Sequence, residues 1–270
     1  MILFPPCKIN IGLHVLHKRG DGFHALDSLM YPVPITDLLE IIKSDEFSFT
    51  NSGITIPGDV QANICIKAYQ LMVKEYQISP IKIHLHKVIP MGGGLGGGSS
   101  DGTSTLLAIN ELFSLSLSVE RLQELASQLG SDCPFFVTAV PQVATGRGEF
   151  LEPVDLSLEG HYLYMVNLGI HVSTAKAFSK VQFYTNETSI AELIKKPFET
   201  IKGELINSFE TSVFESYPEL ADIKSRLTEQ GAIYASMSGS GSTMYGIFKD
   251  KPEKGMFADY DVAFEEVVLL

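Results

Sequence analysis

Residues 92–98 of this 270-residue chain, GGGLGGG, hold six glycines in seven positions. Glycine loses more backbone freedom on ordering than any other residue, so such a run persists where something must approach the bare backbone. Its flanks narrow the choice. Upstream, IKIHLHK alternates apolar and polar residues at Ile81, Ile83 and Leu85, the period of a half-exposed strand. Downstream, Leu106, Leu107, Ile109, Leu112 and Phe113 recur at helical spacing, with Ser99 or Ser100 placed to cap the helix. A strand, a glycine loop and a helix N-terminus in that order suit a polyphosphate. The first helical N–H groups lack intrahelical partners, the macrodipole is positive there, and no side chain blocks the approach. A flexible hinge is the plainer alternative, but the run is bracketed too tightly for one.

Two familiar phosphate loops do not fit. A Walker A loop needs Lys after its last glycine, and Ser99 stands there. Gly92, Gly94 and Gly97 satisfy G-x-G-x-x-G, but in so dense a run that match is nearly automatic. A dinucleotide fold also wants a continuous apolar strand before it. A nicotinamide-dependent oxidoreductase is therefore kept only as an alternative. Protein-kinase motifs are missing, since Asp21-Gly22-Phe23 has the wrong order for a metal-binding triplet.

Charge and composition remove further classes. A net charge of −12 argues against nucleic-acid binding, which relies on Lys and Arg to neutralise phosphates. An RNA-binding module is disfavoured accordingly. A small phosphorylated ligand remains open, helped locally by backbone N–H groups, a few cations or a metal ion. No apolar run reaches the roughly 18 residues of a membrane span. The first residues lack a basic segment followed by a long apolar one, so a cytoplasmic location is expected. Cys7, Cys65 and Cys133 are odd in number and far apart, which predicts reduced thiols rather than disulfides or a zinc site.

The remaining pattern predicts strands at 9–16, 37–44 and 46–50, a helix from Ile64, and a helix capped by Ser118 that ends before Gly130. Short strands are expected at 133–140 (CPFFVTAV), over 143–154 and at 162–169, then helices and strands to the end. Strands and helices without regular βαβ alternation indicate an α+β fold. Two domains are expected, 1–152 and 153–270.

Four segments carry a resemblance that spans most of the chain. PMGGGLGGGSSDG resembles the second motif of the GHMP superfamily of galactokinase, homoserine kinase, mevalonate kinase and phosphomevalonate kinase. PPCKINIGLHVLHKRGDGFHALDSL and LGSDCPFF resemble the N-terminal and catalytic segments of the branch acting on 4-diphosphocytidyl-2-C-methyl-D-erythritol. ASMSGSGSTMYGIF resembles the superfamily's C-terminal glycine motif. The resemblance implies a two-domain α+β fold, with an N-terminal half similar to a ribosomal-protein domain and a ferredoxin-like C-terminal half. It implies transfer of the ATP γ-phosphoryl group to the 2-hydroxyl of that cytidine diphosphate substrate, an isoprenoid precursor. A monomer or weak homodimer is expected, though the sequence leaves oligomeric state open.

Carried over position by position, the resemblance makes Asp132 the catalytic carboxylate, with Lys8 beside it. Pro90, Met91, Gly92, Gly93, Gly94, Leu95, Gly96, Gly97, Gly98, Ser99 and Ser100 would hold ATP, and Asn63 and Lys87 would flank its adenosine. Asn10 would hydrogen-bond the substrate alcohol. Phe23, where the branch usually has tyrosine, and Phe178 would sandwich the cytosine, with His24 on the base edge. Gly239, Ser240 and Gly241 would close over the phosphates. Magnesium is implied by ATP chemistry. Its protein ligands are unknown from sequence, Ser100 being the one candidate. Asp101 is expected to support the helix N-terminus, and Cys7 replaces a usual alanine. Homoserine or mevalonate as substrate is the close alternative, though neither carries a base to stack on Phe23 or Phe178.

Overall fold

The computed structural model describes residues 1–185 and 188–270. The strands are β1 (Ile2–Leu3), β2 (Pro6–Lys18), β3 (His24–Thr36), β4 (Leu38–Lys43), β5 (Ser48–Gly53), β6 (Ile81–Lys87), β7 (Gln142–Gly146), β8 (Phe150–Pro153), β9 (Tyr162–Asn167), β10 (Tyr234–Met237), β11 (Met244–Phe248) and β12 (Phe264–Leu269). The helices are α1 (Ile64–Tyr76), α2 (Gly97–Leu112), α3 (Val119–Ser127), α4 (Thr174–Ser179), α5 (Ile190–Leu193), α6 (Phe198–Ile201), α7 (Glu210–Ser216) and α8 (Pro218–Glu229). Most strand pairs are antiparallel, so the fold is α+β as expected.

Contacts group the chain into two units that are discontinuous in sequence. The first holds Met1–Lys8, Pro34–Met91 and Gly96–Val140; the second holds Ile9–Val33, Gly92–Leu95 and Pro141–Leu270. A single cut at 152/153 does not reproduce this grouping. The reason is that β2 and β3 each have one end in the first unit and the remainder in the second.

In the first unit a sheet runs β1-β4-β6-β5. Ile83 of β6 sits opposite Ile41 in antiparallel β4 and opposite Phe49 in parallel β5. Ile81, Ile83 and Leu85 point to one buried face while Lys82 and His86 are exposed, the alternation read from sequence. That face joins Leu39 and Ile41 in a core with Cys65, Ala68 and Met72 of α1, Leu106 and Ile109 of α2, and Leu122 and Leu125 of α3. Each fully buried aliphatic side chain there stabilises by about 1.5–3 kcal/mol. Ser118 caps α3 as expected, accepting the Arg121 N–H at 3.3 Å.

Two expectations are corrected. Helix α2 starts at Gly97, so Ser99 and Ser100 lie inside it; its N-cap is Gly96, at φ 70°, with no side-chain capping bond. Residues 133–137 form a 3₁₀ turn rather than a strand. Pro134 is the second residue of that turn, where its fixed φ and missing N–H fit the start of a helix and not a paired strand.

In the second unit the antiparallel sheet β10-β11-β9-β12 matches the expected ferredoxin-like half. Leu163, Tyr164, Met165 and Val166 of β9 are all buried, so this strand is covered on both faces. Leu220, Ile223 and Leu227 of α8 share a core with Tyr164, Val166, Met237, Met244 and Phe248. A second sheet runs β2-β3-β7-β8. The tight connection from β2 to β3 is held by Asp21, whose Oδ1 accepts the Phe23 N–H at 3.1 Å.

Candidate active site

The glycine loop leaves β6 at Lys87 and ends on α2. Its last turn requires glycine twice. Gly96 has a left-handed φ of 70°, and a Cβ on it would meet the Phe136 ring at 2.8 Å and Lys8 Cγ at 3.2 Å. A Cβ on Gly97 would come 2.8 Å from Ile89 Cγ2 and 2.9 Å from Lys87 Nζ. The start of α2 is thus pressed against β2 on one side and the end of β6 on the other. With no side chain capping it, the helix presents its first N–H groups and the positive end of its dipole. Ser100 Oγ lies buried at this end and has no hydrogen-bond partner among the described residues.

Lys8 of β2 is buried, and its ammonium stands 3.5 Å from Asp132 Oδ2. Asp132 immediately precedes the 3₁₀ turn but makes no side-chain capping bond to it, and its side chain is 36% exposed. The carboxylate thus caps nothing, is partly open to solvent and faces a buried cation. The Lys8 stem also touches the position of Gly96, so ion pair and helix N-terminus are neighbours within one unit.

The two residues expected beside adenosine have other duties here. Asn63 is the N-cap of α1, its Oδ1 accepting the Cys65 N–H at 2.9 Å. Lys87 is buried; its ammonium pairs with Asp37 and donates to Asp101 Oδ2 at 2.9 Å. Its ammonium is therefore committed to two carboxylates inside the first unit. Burial pushes the Asp101 carboxyl up to about 8, against the pull of Lys87 and with a further push from Asp37. Burial also opposes charge on Lys87, but the two carboxylates outweigh it and hold its pKa above the ordinary lysine value.

In the second unit Asn10 is buried. Its Nδ2 donates to Ser28 Oγ at 2.8 Å, and its carbonyl accepts the Tyr245 hydroxyl at 2.6 Å. Its Oδ1 lies 3.6 Å from where a Gly239 Cβ would sit, so Asn10 adjoins the turn Gly239, Ser240, Gly241 between β10 and β11. Asn207 braces that turn by donating to the carbonyls of Met237 and Gly239 at 2.7 and 2.8 Å. Ser238 ties it to the glycine loop through a 2.9 Å bond to the Gly94 carbonyl.

The expected aromatic sandwich is arranged differently. His24, not Phe23, stacks on Phe178, with centroids 4.7 Å apart and planes at 17°. Phe23 is 54% exposed, with the Arg147 guanidinium 4.8 Å over its ring. Phe178 is backed by Phe209 edge-on at 4.8 Å. A cavity of ≈ 360 Å³ opens beside them, lined by Lys18, Gly22, His24, Phe178 and Phe183 among others.

Sequence reasoning missed Asp37, Arg147, Asn207 and Ser238. Ser238 was within reach, lying inside the C-terminal glycine motif. Asn207 is a lone amide in the apolar stretch ELINSF. Asp37 had no signal, since Lys87 lies 50 positions away, and nothing local links Arg147 to the distant Phe23 ring.

Comparison with known proteins decides the family. The GHMP kinases N terminal domain matches residues 63–139, and the GHMP kinases C terminal domain matches residues 190–256. The 4-diphosphocytidyl-2-C-methyl-D-erythritol kinase of Cytophaga hutchinsonii is 46% identical over 94% of both chains. That of Parabacteroides distasonis is 44% identical over 96% of this chain and 97% of its own.

The chain belongs to the GHMP kinases.

A crystal structure of a 4-(cytidine 5'-diphospho)-2C-methyl-D-erythritol kinase superposes on this GHMP kinase with a TM-score of 0.77. It is 31% identical and covers 92% of this chain and 90% of its own. The mevalonate kinase of Methanococcus jannaschii gives a TM-score of 0.72 at 16% identity, covering 100% of this chain and 98% of its own, which shows a shared fold alone. Among the described residues of this GHMP kinase, no helix is long and apolar enough to cross a membrane.

Proposed function

We propose that this GHMP kinase transfers the γ-phosphoryl group of ATP to the 2-hydroxyl of 4-diphosphocytidyl-2-C-methyl-D-erythritol, in the non-mevalonate route to isoprenoid precursors. The chemistry rests on the Lys8–Asp132 pair at 3.5 Å, set next to an uncapped helix N-terminus. The substrate rests on relatives of that name at 44–46% identity over nearly the whole chain.

Phosphoryl transfer is catalysed mainly by positioning and charge stabilisation. The backbone amides from Gly96 to Ser99 hold the phosphates through the helix-end field. Lys8 places its cation near the transferred group and orients Asp132. As the substrate oxygen bonds to γ-phosphorus, the bond from that phosphorus to the bridging oxygen breaks, ADP departs, and the hydroxyl proton passes to Asp132. The carboxylate accepts that proton late, once bonding to phosphorus has acidified the hydroxyl. Asn10, two residues from Lys8 on β2 and so on the same face of the strand, hydrogen-bonds the alcohol. His24 and Phe178 receive the cytosine with Phe23 at its edge, and the turn at Gly239, Ser240 and Gly241 closes over the diphosphate.

Magnesium entering with ATP fits one observation, the unpartnered and buried Ser100 Oγ at the loop. Ser100 would supply the protein's oxygen ligand, and the ion would offset phosphate charge. The net charge of −12 supports action on a small molecule rather than nucleic acid; the enzyme is proposed to work in the cytoplasm, away from membrane, as a monomer or weak homodimer.

An ADP-release assay tests the proposal. Turnover is expected with the cytidine diphosphate substrate and not with homoserine or mevalonate. Release of ADP with either of the latter in preference would reassign the substrate.

A further inference from the structure

Three buried ionisable side chains, Asp37, Lys87 and Asp101, meet where the chain enters the glycine loop and where it leaves by α2. Asp37, between β3 and β4, is 1% exposed. Its Oδ1 accepts the N–H groups of Val88 at 2.6 Å and Ile89 at 2.9 Å, the two residues that carry the chain out of β6. Its Oδ2 pairs with the ammonium of Lys87, the last residue of that strand. The same ammonium reaches Asp101 Oδ2 at 2.9 Å, in the early turns of α2. One carboxylate therefore fixes the backbone entering the loop. One lysine ties that entry to the helix by which the chain leaves.

Stability alone is a poor account of such a cluster. Buried ions lose hydration that their mutual attraction need not repay, and apolar residues of similar size often serve as well. Apolar packing could not, however, supply a two-pronged acceptor for consecutive amides or a directed bond across to the helix. The cluster also lies where geometry matters, with Lys87 Nζ only 2.9 Å from the place a Gly97 Cβ would take.

We propose that Asp37, Lys87 and Asp101 are positioning residues, a buried clamp that holds the two ends of the loop in phosphate-binding register and so sets the KM for ATP without touching it. The inference rests on the reading of the loop as the ATP site.

Steady-state kinetics of the full chain with ATP and the cytidine diphosphate substrate test it. Asp37→Ala leaves the buried Ile89 amide and the part-buried Val88 amide without this acceptor and is expected to raise the KM for ATP by about tenfold or more. Its kcat at saturating ATP and its KM for the cytidine substrate should stay within about threefold of wild type. Asp37→Asn, which keeps an oxygen for Val88 and Ile89, should recover most of the loss. Lys87→Met with Asp101→Asn keeps the Asp37 bonds but cuts the tie to α2, and should also raise the KM for ATP. This double variant decides the question if Asp37→Ala does not fold. Amide exchange on wild type adds a reading free of substitutions: Val88 and Ile89 should be protected with or without nucleotide.

A folded Asp37→Ala or double variant with a wild-type KM for ATP would overturn the clamp, as would fast exchange at Val88 and Ile89. Proportional loss of kcat and of both affinities would also overturn it, pointing to general damage. Wild type that consumes no ATP with the cytidine substrate would instead defeat the proposed function itself.

Discussion

The two units hold functional groups in opposite ways. In the first, Lys8, Asp37, Lys87, Ser100 and Asp101 are all buried, and glycine brings backbone rather than side chains to the helix end. In the second, the groups proposed for the base are aromatic and more open, with Phe23 exposed and His24 stacked on Phe178. Buried charges and a helix terminus are costly to reorganise, which suits a reaction governed by preset positions. Exposed rings at a cavity mouth adapt their packing at little cost, which suits recognition. The comparison teaches that rate and substrate choice should respond to different parts of this chain.

The largest expected effect breaks the first side. Asp132→Asn keeps the size of the side chain but removes the proton acceptor, and should lower kcat by about 10²–10⁴-fold with ATP binding near normal. A kcat close to wild type, measured by ADP release, would take Asp132 out of the mechanism. The second side is probed by Phe23→Ala. Loss of the ring proposed at the edge of the base should raise the KM for the cytidine substrate above any change for ATP, by less than a full stacking contact of about 1–3 kcal/mol. Equal changes for both substrates would erase the division between the units.

How far these contrasts were visible in sequence differs in the same way. The strand, glycine run and helix around residues 81–112 were legible because their periodicities are local. The start of α2 was misplaced because serine is a common cap, whereas here a left-handed Gly96 takes that role and leaves the Ser100 hydroxyl without a partner among the described residues. Residues 133–137 looked like a strand from their apolar content, and Pro134 decided otherwise. The Asp132–Lys8 pair joins positions 124 apart in the chain and was reachable only through motif resemblance. Asp37, belonging to no motif, was not reachable at all.

Smaller effects sharpen the picture. Asn63→Ala removes the cap of α1 and should lower stability by about 1 kcal/mol, read as a fall in thermal midpoint. A drop in ATP affinity much larger than that loss of stability would show that Asn63 also meets the nucleotide. The thiols should respond least. Burial pushes Cys133 up to about 11 and Cys7 up to about 12, so at pH 8 only about a thousandth or less of either is thiolate. Alkylation by iodoacetamide should therefore wait for unfolding, and rapid labelling of the native chain would contradict that burial.

The backbone crosses between the units repeatedly. It passes from one unit to the other after residues 8, 33, 91, 95 and 140, so neither is a continuous stretch of gene. Neither can be cloned, swapped or inherited as a cassette, because every excision severs shared strands. Recombination among relatives would have to exchange the ensemble, and directed evolution of a new acceptor would do better to vary loops than to shuffle halves.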